Sequence, residues 1–374
     1  MDATTLRPNQ VLAGPVQVAL HPVPKADTEP ERRWRALADA ALEPNPFAAP
    51  DIVLPAVRHL PGGHDVRLLT AECAGELIFA LPVTRGRAHP RVPLPVLQAW
   101  DDYDPPLATP LLHPEHAVLA WLAVRAALGG LRAAWLRLDP LAIDGPAAAA
   151  LTEAAARRGP PARYVETWQR GAVRRDSPAP PPSGRTRRGQ DRRRRRLADL
   201  LGHDVELVFH SGVPGPSSDL IDRFLTLEAS GWKGRAGTAM RDRPGEAEFF
   251  RALTTRHRTQ GRLEMLTLQS GDRLLAANVN VVAGTTLFCL KTTYDEAVAP
   301  ASPGRLLIDA EIETFRSSTP HTLLDTCASP DSEVVAQKYP DHRTLATTLI
   351  PGSTTAPHLL SQALLKAHDL TTKP

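Results

Sequence analysis

Apolar and polar positions along this chain alternate with two periods, one near 3.6 and one near 2, and the switches between them outline its elements. Trp34, Leu37 and Ala41 recur at helical spacing. They predict a helix from Pro30 to Ala41, which Asn45-Pro46-Phe47 brings to an end, after a ragged leading segment that reaches about Glu29. A short helix from Asp51 to Leu60 follows. Val66 to Thr70 and Leu77 to Val83 read as consecutive strands turned at Ala74-Gly75. Val96 to Trp100 is the next strand, His113 to Leu128 a helix, Ala133 to Leu138 a strand, Ala147 to Arg158 an Ala-rich helix and Tyr164 to Arg170 a strand.

The second half repeats the alternation more cleanly. Val205 to Phe209 is a strand. Ser217 or Ser218 caps a helix running to about Ser230, and Glu246 to Thr259 forms another with Phe249, Phe250 and Leu253 on its apolar side. Leu263 to Leu268, Leu274 to Val282 and Thr286 to Thr293 form a meander turned at Gly271-Asp272 and Ala283-Gly284. A helix from Arg305 to Phe315, a buried strand from Thr322 to Thr326, a short helix from Glu333 to Tyr339 and a strand from Leu345 to Ile350 complete the order β-α-α-β-β-β-α-β-α-β.

Helices interleaved with strands in both halves make this a mixed α/β chain. Its 374 residues allow two domains with separate cores. The Pro-rich stretch from Asp176 to Gly184 favours extended backbone and lacks ladder donors. The division expected is 1–175, a linker over 176–196, a second domain over 197–352 and a tail over 353–374. No run of about 18 apolar residues predicts a membrane helix, and no basic-then-apolar leader opens the chain. Cys73, Cys289 and Cys327 form no CxxC pair and no metal spacing with histidine, which fits small buried residues in a reducing cytoplasm. A net charge of +3 is too small to indicate nucleic acid by itself. No HExxH, P-loop or GxGxxG context is present, so neither metal nor nucleotide hydrolysis is expected. His321 precedes a strand and is read as capping a turn.

Four segments together resemble the CelD-like acetyltransferase family, a branch of the GNAT acyltransferases related to the FemABX peptidyltransferases. They are Phe224-Leu-Thr-Leu-Glu228-Ala-Ser-Gly-Trp232-Lys233-Gly234, Lys291-Thr-Thr-Tyr294-Asp295-Glu296, Ser302-Pro303-Gly304-Arg-Leu-Leu and Asp325-Thr-Cys. The resemblance extends into the first half through Trp34 and Asn45-Pro46-Phe47. It implies tandem GNAT-like domains and an N-acyltransferase that moves an acyl group, most simply acetyl, from acyl-CoA to the amine of a small molecule or sugar. It also implies a first domain that shapes the acceptor site without binding CoA, because no Ser-Pro-Gly helix start follows its meander. An aminoacyl-tRNA-dependent transferase and a non-catalytic binding protein on the same fold are the alternatives.

Ser302-Pro303-Gly304 has physical content without the family. Ser is a good N-cap, Pro suits the first helical position, Gly permits close approach, and the helix start exposes N–H groups to an anion. The resemblance places the CoA pyrophosphate there, with Arg305 adding charge and the strand through Leu290 pairing with the pantetheine arm.

Acyl transfer from a thioester to an amine needs a neutral nucleophile, donors for an oxyanion and an acid for the thiolate. Glu228 falls near the apolar face of its helix and reads either as a base of raised pKa or as the partner of Lys233 or Arg235. Trp232 and Lys233 are candidates for holding substrate. Lys291 interrupts an apolar strand, and alternation puts it with Leu287, Cys289 and Thr293, opposite Phe288, Leu290 and Thr292. It reads as a substrate anchor or charge stabiliser, with Asp325 a plausible partner. Tyr294 and Asp295 sit at the strand end, where the cleft is expected. Tyr339 matches by position the tyrosine that many GNAT enzymes place near the CoA sulfur. Trp100-Asp101-Asp102-Tyr103-Asp104 reads as a surface loop or as an acidic face of the cleft.

Arg185 to Arg196 is a dense arginine run, and Arg192 to Arg196 leads into Leu197, Leu200 and Leu201 and so begins a helix. Its readings are a solvated helix face or an RNA contact. Aromatics do not interleave with the arginines, so base stacking is not supported and nucleic acid is not the expected partner.

Overall fold

The computed structural model describes residues 15–89, 92–101, 106–178, 184–329 and 338–353. Its first half runs β1 (Val16–Pro22), α1 (Glu29–Ala40), α2 (Pro50–His59), β2 (Arg67–Cys73), β3 (Glu76–His89), β4 (Val92–Ala99), β5 (Leu111–Leu112), α3 (Ala117–Ala127), β6 (Trp135–Ala142), α4 (Pro146–Arg157) and β7 (Arg163–Arg174). The second half runs α5 (Gly184–Leu201), β8 (Glu206–His210), α6 (Ser218–Ser230), α7 (Trp232–Arg235), α8 (Glu246–Thr259), β9 (Leu263–Ser270), β10 (Arg273–Ala283), β11 (Thr286–Tyr294), α9 (Pro303–Ser318), β12 (Leu323–Asp325) and β13 (Asp341–Pro351).

Turn chemistry sets the hairpins. Ala74 and Gly75 both take positive φ (51° and 81°), as a tight turn between β2 and β3 requires, and Cys73 then faces Glu76. Gly271 and Gly284 do the same for the second meander. The strand β1 lies in the segment expected to be ragged. It pairs antiparallel with β2, from Val16 against Cys73 to Pro22 against Arg67. As an edge strand it is only partly buried, so its residues carry no clean alternation. The arginine-rich helix α5 begins at Gly184, earlier than Arg192, and its Leu197 is fully buried. The helix expected from Glu333 to Tyr339 lies outside the described residues, apart from Lys338 and Tyr339.

All described strands join one mixed sheet in the order β1-β2-β3-β4-β6-β13-β7-β12-β11-β10-β9-β8, with β5 on β3. The fold is α/β with tandem GNAT-like halves. Their last strands are exchanged: β7 pairs with β12 of the second half, and β13 pairs with β6 and β7 of the first. The halves therefore share backbone ladders and cannot part without breaking them. Their cores merge as well. Phe47, Ile52, Leu107 and Ala142 pack in one cluster with Phe224, Phe250, Phe288 and Leu345, and Phe47 meets Phe288 edge-on at 5.7 Å. Across the seam, Arg256 of α8 pairs with Asp51 (3.0 Å) and Glu31 (3.4 Å), and Arg262 with Asp39 (2.7 Å). Among the described residues no helix is long and apolar enough to cross a membrane.

Candidate active site

β11 and β12 run parallel but pair only from Thr286 against Leu323 to Phe288 against Asp325. Beyond that point they diverge. At the same place β11 gains a residue relative to β10: Cys289 faces Asn280 and Lys291 faces Val279, so Leu290 has no opposite number. Such a bulge leaves the extra residue outside the ladder and re-aims its neighbours. Strict alternation assigned Leu290 and Lys291 to opposite faces. With the bulge at Leu290, both line one cavity.

That cavity holds about 600 Å³ and lies between the halves. Phe47, Ile52, Leu60 and Pro106 come from the first half, and Met240, Arg243, Glu246, Phe249, Phe250 and Leu253 from α8 and the loop before it. Arg243 donates to Glu246 at 3.0 Å. Lys291 is exposed on the wall.

At the far end of β11, half-exposed Tyr294 covers the start of α9. A Cβ added to Gly304 would stand 3.4 Å from Tyr294 Cδ1, an ordinary contact distance, so the ring lies against the helix start. Ser302 is the N-cap residue, but it adopts left-handed backbone (φ 55°, ψ 56°) and its side chain makes no capping bond. Its carbonyl instead accepts from Arg305 N (3.1 Å) and Leu306 N (3.2 Å). Pro303 is buried at the first helical position. One turn on, Asp309 gathers Arg305 (3.9 Å) and Arg193 of α5 (3.3 Å). Lys338 joins this group: burial and then the Arg305 charge hold its pKa down, while Asp309 pulls it up. Burial raises the Asp309 carboxyl above its usual range against the pull of Arg305, Arg193 and Lys338. Three cations therefore surround one carboxyl beside the α9 N-terminus.

The candidate carboxylates are each held by named partners. Glu228 is buried in α6, where Oε1 accepts from Lys233 Nζ (2.9 Å) and Oε2 from Met240 N (3.0 Å). It thereby pins the loop that brings Met240 into the cavity wall. Trp232 is 56% exposed, and its backbone N donates to Glu296, which also takes Arg235. Asp295 accepts from Ala297 N and from Arg273 (2.6 Å), so it caps the turn after β11. Asp325 is fully buried, and the pairing expected for it falls to arginines: Arg343 donates at 2.9 Å and Arg170 lies at 3.6 Å. Arg343 also reaches Glu43 at 2.6 Å, and Glu43 accepts from Ala147 N at the start of α4. Burial raises the Glu43 carboxyl, with Arg343 opposing. This chain of charges ties β12 and β13 to the first half.

Sequence reasoning missed a buried polar group on the α9 side of the sheet. Glu311 accepts from Tyr339 Oη (2.9 Å) and Asn280 Nδ2 (3.1 Å). Burial raises its pKa, and bonds from Asn280, Tyr339 and Asn278 lower it. Tyr339 is pushed well above the ordinary phenol value by burial and then by Glu311. The signals were legible: Asn278 and Asn280 interrupt an apolar strand, and Glu311 sits between Leu307 and Phe315 at helical spacing. Tyr339 packs with Leu287, Phe315 and Leu324, on the face opposite Phe288 and the cavity. His321, read as a turn cap, is a buried partner of Glu264 at 2.9 Å. Trp100 is buried, Asp101 accepts from Gln98, and residues 102–104 of the acidic run lie outside the described residues.

An acetyltransferase (GNAT) domain model matches residues 184–325. Among solved structures, FemX aligns with TM-score 0.52 and 9% identity, over 89% of this chain and 98% of its own. A conserved protein of unknown function from Bacteroides thetaiotaomicron VPI-5482 aligns with TM-score 0.55 and 11% identity, over 89% of this chain and 100% of its own. At these identities the likeness is one of fold. No curated protein matches the chain in sequence.

Proposed function

We propose that the chain is an N-acyltransferase of the CelD-like kind, in which residues 197–352 take an acyl group from acyl-CoA and deliver it to an amine in the cavity walled by both halves. The observation that carries this reading is the bulge at Leu290 where β11 parts from β12. The extra residue of a bulge lies outside the regular register, and its N–H is the donor this reading assigns to the opening. A thioester carbonyl accepting from Leu290 N–H has its developing charge stabilised without reorganisation.

In this reading the acyl donor lies in the opening between β11 and β12, with its phosphates at Ser302, Pro303, Gly304 and Arg305. The amine arrives from the cavity face. Nitrogen attacks the carbonyl carbon, the C–S bond breaks, and the thiolate is protonated while the amine loses its extra proton. The amine's surplus proton reaches the thiolate by way of solvent, while Tyr339 stands on the α9 face with its hydroxyl donating to Glu311. Glu228 with Lys233 holds the loop that carries Met240 into the cavity lining, Asp295 caps the turn after β11 where Tyr294 lies against α9, and Asp325 holds the opening by anchoring β12. Trp232 stands exposed on α7, next to Lys233, as a contact for the acceptor. No metal enters the step. The three free cysteines fit a cytoplasmic setting.

One observation favours the aminoacyl-tRNA reading. Arg192, Arg194, Arg195 and Arg196 are exposed along α5. That helix contains no aromatic residue, and its Arg193 faces Asp309. The test separates the two donors. Acetyl-CoA at about 100 times its Kd is expected to add about 2.7 kcal/mol of stability, read as a rise in Tm. tRNA binding that falls steeply with salt, without a response to acetyl-CoA, overturns the acyl-CoA reading.

A further inference from the structure

We infer that the acceptor is a primary amine on an apolar body, an alkylamine or arylalkylamine, rather than an amino sugar. This inference rests on the acyl-transfer reading and names the acceptor class of that same site. Six described residues of the cavity lining are buried: Phe47, Ile52 and Leu60 from the first half, and Met240, Phe250 and Leu253 from the second. Their side chains are hydrocarbon or thioether and offer no N–H, O–H or oxygen to a guest. Half-buried Phe249 and Leu290 continue the same surface, and Leu290 joins it to the bulge. The charged residues of the described lining stand nearer to solvent. Arg243 and Lys291 are exposed, and Arg243 is bound to half-buried Glu246 at 3.0 Å.

That lining sorts the possible bodies by what they lose on leaving water. A hydroxyl set among those six side chains gives up its water bonds and finds no side-chain partner there. Each such loss is expected to cost about 5- to 100-fold in affinity, and an amino sugar carries several hydroxyls. A methylene placed in the same position gains about fourfold. The cavity, at about 600 Å³, encloses a whole small molecule, so the gain accumulates along an alkyl chain or an aromatic ring. The same surroundings assist the chemistry. Loss of water disfavours the ammonium form of the guest and raises the neutral fraction that attacks. In the balanced step the amine nitrogen bonds to the acyl carbon, the C–S bond breaks, and the surplus amine proton passes through solvent to the CoA thiolate.

The experiment follows CoA thiol release by the full-length protein with acetyl-CoA and five amines: n-butylamine, n-hexylamine, n-octylamine, phenethylamine and glucosamine. Burial of each added methylene predicts kcat/KM rising about fourfold per carbon, or about 200-fold from butylamine to octylamine. Phenethylamine is expected above butylamine, and glucosamine below it. Calorimetric Kd values for the same amines on the CoA-loaded protein should follow the same order. Phe249→Ala is expected to lower the octylamine-to-butylamine ratio about 10-fold, chiefly through KM, with Tm close to native. The native series decides the matter by itself if that variant fails to fold. No dependence on chain length, or glucosamine turned over as well as octylamine, overturns the inference, as does an unchanged ratio in a folded Phe249→Ala. Any of these leaves the acyl-transfer reading standing, provided acetyl-CoA raises Tm. Absence of any acetyl-CoA effect on Tm, with no thiol release from any amine, overturns both.

Discussion

The two halves open a parallel strand pair in the same place and treat the opening differently. In the first half β4 and β6 pair only from Val96 against Trp135 to Gln98 against Arg137, as short a contact as that between β11 and β12. There the chain fills its own gap. Ala108 N donates to Pro140 O at 2.7 Å, and Leu107, Ala108, Leu111 and Leu112 are buried. Asn45 clamps the plug by donating to Leu107 O (3.2 Å) and Thr109 O (2.6 Å). β4 pairs with β3 in unbroken register from Pro95 to Ala99, so no bulge corresponds to Leu290. The helix that follows, α3, starts at a buried Ala117 rather than at a Ser-Pro-Gly turn. A duplicated topology thus supplies an opening twice. What separates the halves is whether the chain occupies that opening, and whether a bulge interrupts the strand beside it.

The largest expected effect concerns the link that lets the halves be compared within one sheet. Arg343→Met leaves Asp325 and Glu43 buried without their shared cation, and removing one partner of a buried pair costs about 3–5 kcal/mol. Urea unfolding should show it, and a loss under about 1 kcal/mol would mean the network is peripheral to the joining of the halves. Next is the donor itself. Leu290→Pro removes one N–H at a position outside the ladder, so kcat for acetyl transfer should drop about 10²- to 10³-fold with the Tm little changed. A variant of normal kcat would show that the bulge is not the oxyanion site.

Asn45→Ala tests the plug. Two carbonyls lose their donor in a buried setting, which predicts a stability loss of about 1–3 kcal/mol. Calorimetric titration with acetyl-CoA should still give one site per chain, and two sites would show that only the plug distinguishes the halves. The smallest effect is in pH dependence. The folded protein holds the Glu311 proton above the ordinary carboxyl value of 4.5, so it binds more protons than the unfolded chain between that value and the raised one. Its contribution is fully present below the ordinary value and is lost as pH rises through the folded pKa. Glu311→Gln should flatten that decline while keeping an acceptor for Tyr339. A decline of the same size in the variant would assign the pH dependence to another group, such as Glu43.

Much of this was legible along the chain because it depends on near neighbours. Hydrophobic period and turn residues marked most of the helices and both meanders. β1 escaped this reading, as a half-exposed edge whose pattern only its pairing with β2 explains. Ser302, Pro303 and Gly304 marked the α9 start, and the helical spacing of Glu228 marked its burial. Tertiary structure decided what depends on distant partners. It set the bulge that turns Leu290 and Lys291 to one face, since register is a property of two strands. It gave Asp325 to Arg343 and Arg170, which lie on other strands, and brought Glu311 to Tyr339. It also exchanged β7 and β13, because an isolated strand carries no record of which neighbour will complete its ladder. Local sequence fixes a residue's own conformation. Only the assembled sheet determines which opening stays empty and which charges meet across it.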